Sequence, residues 1–288
     1  MSVQAEAIAP RRKLGRAASK FMANRSAVLG GVLVVIFVLL AIGAPLFATH
    51  DPFQTSFTAI RKAPSAEFWL GTDELGRDIY SRMLFGSRAS LMAGVISVAI
   101  AVLVGVPFGL LAGFYGGWID AAVSRVTEAL LAIPFLILAI ALAAFLGPSL
   151  TNAMIAIGLS ATPIFIRLTR GQALSVKTED YVEGARAIGL PNVLIMTRYI
   201  FPNVLPPIVV QATITIATAI IAEASLSFLG LGQQPPNPSW GSMLNTAKNF
   251  MTQAPWMSVF PGGAIFLVVL GFNLLGDGLR DALDPRDH

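Results

Sequence analysis

The sequence predicts an all-α integral membrane protein with six transmembrane helices and a short cytoplasmic helix between the fourth and fifth spans. Three observations lead to this fold class. The chain is 55% hydrophobic and 12% charged, whereas soluble domains carry about 25% charged residues. Several uncharged runs are long enough to cross a bilayer. One polar, helix-forming segment, 181–192, lies between two such runs.

The composition also argues against several functional classes. Cysteine is absent, so no disulfide, thiolate nucleophile or cysteine metal site is expected. Histidine occurs only at His50 and His288, which leaves little for histidine-based catalysis or metal binding. The basic residues lie beside the apolar runs, so we read the net charge of +4 as contact with a lipid bilayer, and we expect no nucleic-acid partner.

The first span is predicted at 27–48, after a basic tail at 1–26. Its run of about 22 uncharged residues would extend roughly 33 Å as a helix, which matches the hydrocarbon core. The tail resembles the basic front of a signal peptide. However, the apolar run exceeds the 7–15 residues usual there, so we interpret it as an uncleaved span.

Five further spans complete the prediction. The second covers 89–115, the fifth 199–222 and the sixth 257–276. The uncharged run 129–166 is too long for one crossing and is interrupted by Gly147-Pro148-Ser149, so it yields the third and fourth spans. Internal prolines predict kinks in these helices: Pro107, Pro134 and Pro163.

The distribution of lysine and arginine predicts the orientation. With the N-terminus inside, 14 of these residues lie in cytoplasmic segments and six outside, as the positive-inside rule requires. Both termini are therefore expected in the cytoplasm. The remaining segments are an external loop at 49–88, a five-span core at 89–277 with an inner loop at 167–199, and a cytoplasmic tail at 278–288.

The inner loop carries the predicted short helix. Thr178 is the expected N-cap, and Gly189 followed by Pro191 is the expected stop. Tyr181, Ala185 and Ile188 are spaced to form one apolar stripe. The stripe could rest on the bilayer surface. The acidic residues of the segment favour a groove on a protein partner instead.

Several motifs resemble those of one transporter family. Glu183-Gly184-Ala185-x-x-x-Gly189 followed by Ile200-Phe201-Pro202 resembles the EAA loop of permease subunits in ATP-binding-cassette importers. Three other stretches resemble the dipeptide, oligopeptide and nickel branch, and specifically its C-type subunit: Leu70-Gly71-Thr72-Asp73, Leu226-Ser227-Phe228-Leu229-Gly230 and Phe272-Asn273-Leu274-Leu275-Gly276. Glycine at Gly184 departs from the alanine usual at that position, which would weaken the helix.

The resemblance implies a fold, partners and site residues. It implies a non-catalytic permease subunit in a bacterial inner membrane, paired with a homologous permease, two ATP-binding subunits and an extracytoplasmic substrate-binding protein. This chain would hold no cofactor, since ATP and Mg²⁺ would bind the partner subunits. The resemblance makes the inner helix a coupling helix, whose ATPase-contacting residues would be Tyr181, Glu183, Gly184, Ala185, Arg186 and Gly189.

Two further sets of residues are candidates for function. Asp73, Arg77, Asp78 and Trp240 lie in predicted external loops and are candidates for docking or gating, against the alternatives of local pairing and a rigid turn. Glu128 and Glu223 are placed near span ends. We expect them to be hydrated or paired, Glu128 with Arg125, and name them as candidates to line a solute path.

Two other classes remain as alternatives. An ion-coupled secondary transporter would need ionisable residues or broken helices at mid-membrane, and the spans are nearly uncharged. A membrane enzyme would need a catalytic constellation that the residue types do not supply. The chain also lacks the G-x-x-x-x-G-K-[ST] phosphate-binding loop, so we expect the driving force to come from separate subunits.

Overall fold

The computed structural model describes residues 18–283, and over that range the chain is helical, with connecting turns and one long loop. No strand forms in these residues, where Thr72 and Asp78 make an isolated bridge. Five of the described helices are long and apolar enough to cross a membrane, or six if one bent pair counts as a span. The predicted all-α membrane fold is therefore confirmed.

The main helices are numbered here in chain order. They are α1 (Arg25–Ile42), α2 (Ile79–Tyr115), α3 (Gly117–Leu131), α4 (Phe135–Leu146), α5 (Leu150–Val176), α6 (Asp180–Ala187), α7 (Phe201–Phe228), α8 (Trp240–Ala247) and α9 (Trp256–Leu283). Shorter pieces are Ala44–Phe47, the 3₁₀ turns Phe57–Ala59 and Lys248–Phe250, the single turn Asn192–Leu194 and the π-helix Ile195–Ile200.

The first two membrane helices begin at side-chain caps. Asn24 accepts hydrogen bonds from the amides of Ser26 and Ala27 at 3.0 and 3.2 Å, so α1 starts close to the predicted position. Asp78 accepts one from the amide of Ser81 at 2.9 Å, so α2 starts at Ile79. The last ten residues of the predicted external segment 49–88 therefore belong to α2, which continues into the second predicted span.

The third predicted span is a bent pair of helices. α3 and α4 meet at 92° at a break that contains Pro134, which has no amide hydrogen to continue the helix. The kink predicted at this proline is confirmed. The predicted break at Gly147-Pro148-Ser149 is also confirmed: Gly147 has φ +91°, and Ser149 caps α5 by accepting a bond from the amide of Asn152.

The helices that contain the last two predicted spans continue past the predicted span ends. α7 continues to Phe228 instead of stopping at 222, since no helix breaker occurs before Gly230, whose φ is +82°. α9 runs to Leu283, inside the predicted tail 278–288. The rest of that tail, 284–288, and residues 1–17 of the basic tail lie outside the described residues.

The centre of the bundle is the contact between α2 and α5, along which α7 also packs. Three glycines on α2 face α5. A Cβ at Gly105 would lie 2.7 Å from Phe165 Cβ, at Gly109 2.7 Å from the carbonyl oxygen of Ile166, and at Gly113 2.7 Å from Ala173 Cβ. Close helix approach through small residues is a usual packing mode in membranes. α9 packs against α1 and α7.

Candidate functional site

The short helix α6 is held against the bundle by two side chains. Val182 and Ala185 are buried and belong to the same hydrophobic cluster as Ile195 and Ile200 of the π-helix that follows. The Arg186 guanidinium adds a contact with the bundle, lying 5.5 Å from the ring centre of Phe114 near the end of α2. These contacts fix the orientation of α6.

The exposed face of α6 differs from the predicted stripe. Tyr181 is 45% exposed and Ile188 76% exposed, while Ala185 is buried. Thus only Ala185 of the predicted stripe packs inward, because Val182, which the stripe omitted, is the residue that fits against the π-helix. Glu183, Gly184, Arg186 and Gly189 are exposed as well.

The ends of α6 also differ in part from the prediction. The N-cap is Glu179, without a side-chain cap bond, and the Thr178 hydroxyl instead donates to the carbonyl oxygen of Ser175. The predicted Thr178 cap is therefore wrong, and α6 has eight residues. The predicted stop is confirmed: Gly189 has φ +79°, and the amide of Leu190 donates to the carbonyl oxygen of Ala185 at 3.2 Å.

The charged residues of the predicted external loop, called the outer loop below, form a buried network. Arg77 donates to Asp73 and to Glu74, each at 2.7 Å, and the Arg82 Nε lies 3.3 Å from the Asp73 carboxylate. Asp73 also accepts from the amides of Leu75 and Arg77. Burial, with the charge of Asp73 beside it, raises the pKa of the Glu74 carboxyl group. Local pairing is confirmed, but the network is buried and not solvated.

The two other external candidates are buried too. Asp78 caps α2 and accepts a bond from the Thr49 hydroxyl at 3.1 Å. Trp240 starts α8, donates its Nε1 hydrogen to the carbonyl oxygen of Met83 at 3.1 Å and lies edge-on to Phe37. In this conformation these side chains hold the outer loop and α8 on the helices, and none of the four offers a surface to a docking protein.

The two glutamates named as path candidates have opposite surroundings. Glu223 on α7 is fully buried and accepts hydrogen bonds from Ser90 at 3.0 Å and Ser227 at 2.6 Å. Of the two expected states, hydrated or paired, it therefore takes the second, with hydroxyl groups as its partners. Glu128 on α3 has a side chain that is 68% exposed. Its predicted partner is confirmed, because Arg125 Nη1 lies 3.8 Å away.

Glu128 lines a cavity between α3 and α5. The cavity holds about 370 Å³ and is bounded by Ser124, Thr127, Glu128, Leu131, Ala132, Ile166, Arg167 and Arg170. Arg170 is paired with Asp120 of α3 through Nε and through Nη2, the latter at 2.8 Å. Within residues 18–283, no group of three His, Cys, Asp or Glu side chains is placed to hold a metal ion.

The amino-acid sequence matches the models of two known protein families. The family described as the inner membrane component of binding-protein-dependent transport systems matches residues 105–286. The chain belongs to this family. The N-terminal transmembrane domain of oligopeptide transport permease C matches residues 14–64. Together with the relatives below, these matches confirm the predicted permease of a dipeptide-type ATP-binding-cassette importer, a multi-pass inner-membrane protein.

Curated relatives cover nearly the whole permease. The dipeptide transport system permease protein DppC of Alkalihalophilus pseudofirmus is 46% identical over 98% of this chain and 92% of the relative. The probable D,D-dipeptide permease DdpC of Escherichia coli is 46% identical over 90% and 87%. The glutathione permease GsiD of Pectobacterium atrosepticum is 44% identical over 93% and 89%.

Solved structures show the same fold. A chain of the inward-facing methionine ABC transporter MetNI superposes with a TM-score of 0.59 at 23% identity, covering 72% of this permease and 98% of that chain. A second crystal form of the same transporter gives 0.58 at 22% identity.

Sequence reasoning missed several residues that shape these surfaces. Val182 anchors α6, and Asp120 pairs with Arg170 at a separation of 50 residues. Val182 lies about 100° around the helix from Tyr181, outside the predicted stripe, so helix periodicity alone does not single it out. No local signal would have found the α3–α5 pair, because helix spacing relates only residues three or four positions apart.

Proposed function

We propose that this permease forms, with a homologous permease subunit, the path of an ATP-driven importer for small peptides or related solutes. Two ATP-binding subunits would bind ATP and Mg²⁺ and supply the driving force, and an extracytoplasmic binding protein would deliver the solute. The permease itself carries out no chemical step. Both of its termini lie in the cytoplasm.

The observation that carries this proposal is the two-sided character of α6. One side is fixed to the bundle through Val182 and Ala185, and the other exposes Tyr181, Glu183 and Ile188. A short helix with a mixed apolar and charged exposed side suits a groove on a partner protein. The other reading, an amphipathic helix on the bilayer, would expect lysine and arginine to dominate the polar face.

The connections of α6 supply a route for force. α6 follows α5 after three residues and joins α7 through Asn192–Leu194 and the π-helix Ile195–Ile200. A shift of α6 therefore acts on α5 and α7 together, and the glycine contacts carry it from α5 to α2. Closure of the two ATP-binding subunits would draw α6 toward the corresponding helix of the homologous permease subunit. This movement would open the solute path to the outside.

The outer network has a positioning role in this proposal. Asp73, Arg77 and Asp78 fix the shape of the outer loop, and Trp240 fixes α8 against α2. Docking or gating by these residues would then act through the loop backbone and through neighbouring side chains that are exposed, such as Phe57 and Trp69.

The experiment replaces Gly189 by arginine in the purified complex with its ATP-binding subunits. Beyond its chain neighbours, no atom lies within 4 Å of a Cβ built at Gly189, so a side chain can begin there without a clash. Arginine would project bulk and charge toward the partner, and we expect substrate-stimulated ATP hydrolysis and uptake to fall together. Unchanged hydrolysis and uptake would refute the role of α6.

A matched control separates this effect from backbone strain. The substitution Gly189→Ala places a side chain at the same φ of +79° as Gly189→Arg does, so both variants carry the same strain of about 1–2 kcal/mol. Alanine adds neither the bulk nor the charge of arginine. We expect it to keep most of the coupling. Sidedness is checked with Glu183→Cys, which should react with an impermeant maleimide from the cytoplasmic side only.

A further inference from the structure

The cavity between α3 and α5 carries opposite charges on its two walls. Ser124, Thr127, Glu128 and Leu131 occupy one face of α3 at helical spacing, and Glu128 supplies a carboxylate. Ile166, Arg167 and Arg170 of α5 form the other wall. At about 370 Å³ the cavity falls at the lower end of the range of about 300–1,000 Å³ for small-molecule sites.

Two of the charges in this cavity are available to a ligand. Arg170 is committed to Asp120 by a bidentate pair. The Arg167 side chain makes no hydrogen bond, ion pair or ring contact with the described part of the chain. The Glu128–Arg125 pair spans 3.8 Å between largely exposed side chains, and such pairs contribute little.

The position of the cavity favours a solute over a lipid. Five of the cavity's eight lining residues are polar or charged, and an acyl chain would offer these groups no hydrogen-bond partner. Arg167 precedes the end of α5 by nine residues, so the cavity lies on the side of the bundle that carries α6. Charged side chains within spans usually face a water-filled cavity, and they often mark solute pathways.

We propose that this cavity binds short zwitterionic peptides at the inner end of the path. Glu128 contacts the terminal ammonium group, and Arg167 contacts the terminal carboxylate. Leu131, Ala132 and Ile166 contact the side chains without selecting among them. This inference rests on the proposed import function. It adds that the permease binds its solute through the terminal ammonium group and the terminal carboxylate.

The test measures peptide binding to the membrane complex in phosphatidylcholine nanodiscs, without nucleotide or binding protein. Saturation-transfer NMR compares alanyl-alanine with its N-acetylated and its C-amidated forms. In the unmodified complex we expect each cap to weaken binding about two- to fivefold, the range for exposed ion pairs.

Variants assign each end of the peptide to one residue. Glu128→Gln should abolish the effect of N-acetylation only, and Arg167→Gln that of C-amidation only. Arg198→Gln, an exposed arginine of the π-helix outside the cavity lining, should leave both effects intact. Size-exclusion profiles and melting temperatures matching the unmodified complex establish that the variants are folded.

Three results would overturn the inference. They are equal binding of all three peptides, variants that behave like the unmodified complex, and a signal that disappears in phosphatidylethanolamine discs, which would assign the cavity to a lipid headgroup. ATP-driven uptake by the unmodified complex with its binding protein is measured in parallel. If uptake occurs while peptide binding fails these tests, only the inference is wrong. If uptake is absent, the proposed import function fails.

Discussion

Glycine serves opposite purposes in two regions of the molecule. One region is the contact between α2 and α5, and the other is the exposed side of α6. At Gly105, Gly109 and Gly113 a Cβ would overlap the neighbouring helix, so the two helices touch along their backbones. At Gly184 and Gly189 no atom lies within 4 Å of a Cβ, so the glycines lie on open surface. The first region is therefore closely packed, and it is called the rigid unit below. The second is open surface, as the proposed contact with a partner requires.

The two regions also differ in how they are joined to the rest of the chain. α5 is fixed to its neighbours by packing, by the Asp120–Arg170 pair and by Lys177, whose Nζ donates to the carbonyl oxygen of Gly113 at 2.9 Å. α6 is fixed mainly by Val182, Ala185 and the Arg186–Phe114 contact. A force applied to α6 should therefore move the rigid unit as a whole.

The largest expected effect is at the rigid unit. Gly109→Ala places a Cβ 2.7 Å from both the carbonyl oxygen of Ile166 and the Cβ of Thr169, so the helices must separate. We expect a loss of about 1–3 kcal/mol in unfolding free energy, as for overpacked cores. Thermal unfolding in detergent measures it.

The control for this substitution lies on the partner helix. Gly171→Ala on α5 has nothing within 4 Å of its Cβ and should stabilise the helix by about 0.5–1 kcal/mol. Equal melting temperatures for the two variants would show that the glycine contacts do not hold α2 and α5 together.

The next effect is at the anchor of α6. Val182→Ala removes buried apolar volume, which we expect to cost about 1.5 kcal/mol locally. Because α6 would then pack less firmly against the π-helix, the ratio of solute taken up to ATP hydrolysed should fall. Val126→Ala, an exposed valine on α3, is the matched control and should leave the ratio unchanged. A constant ratio in Val182→Ala would mean that the anchor does not matter for coupling.

A smaller effect is expected at the pair that ties α3 to the rigid unit. Asp120→Asn removes the carboxylate charge that faces Arg170, and both side chains are partly exposed. We expect a loss of about 0.5–1 kcal/mol that shrinks in high salt. Arg125→Gln, which breaks the looser pair with Glu128, should change the melting temperature little. A salt-independent loss in Asp120→Asn would point to packing instead of charge.

The smallest effect is at the open glycine of α6. Gly184→Ala should raise the stability of α6 by about 0.5 kcal/mol, because alanine fits there and restricts the unfolded segment. Hydrogen exchange of the α6 amides should slow slightly, and uptake should persist. A severe loss of uptake would show that the partner requires a bare backbone at this position.

The features that the sequence predicts well are those encoded locally. Four features depend on a few adjacent residues: the uncharged runs, the kink at Pro134, the break at Gly147-Pro148-Ser149 and the helix stop at Gly189 after α6. Backbone chemistry decides these features wherever the residues lie in the fold.

The features that the sequence predicts poorly depend on residues far apart. The predicted external position of Asp73, Arg77, Asp78 and Trp240 suggested exposure, but all four side chains are buried. Arg82 and Met83 of α2 supply partners for Asp73 and Trp240. Glu223 follows the predicted end of the fifth span at 222, and its burial could not be predicted because its partner Ser90 lies 133 positions away. The Asp73–Arg77 pair is local, but the partners of Trp240 and Glu223 belong to other helices, and only the packed bundle reveals them.

The most direct test of the account attaches a photo-crosslinker to α6 in the assembled transporter. The natural sequence contains no cysteine, so Ile188→Cys gives a single attachment point on the exposed face of α6, and Leu103→Cys gives an exposed control on α2. We expect the probe at position 188 to crosslink an ATP-binding subunit and the probe at 103 not to do so. Crosslinks from position 188 to lipid alone, in a complex that still couples ATP hydrolysis to uptake, would contradict the role assigned to α6.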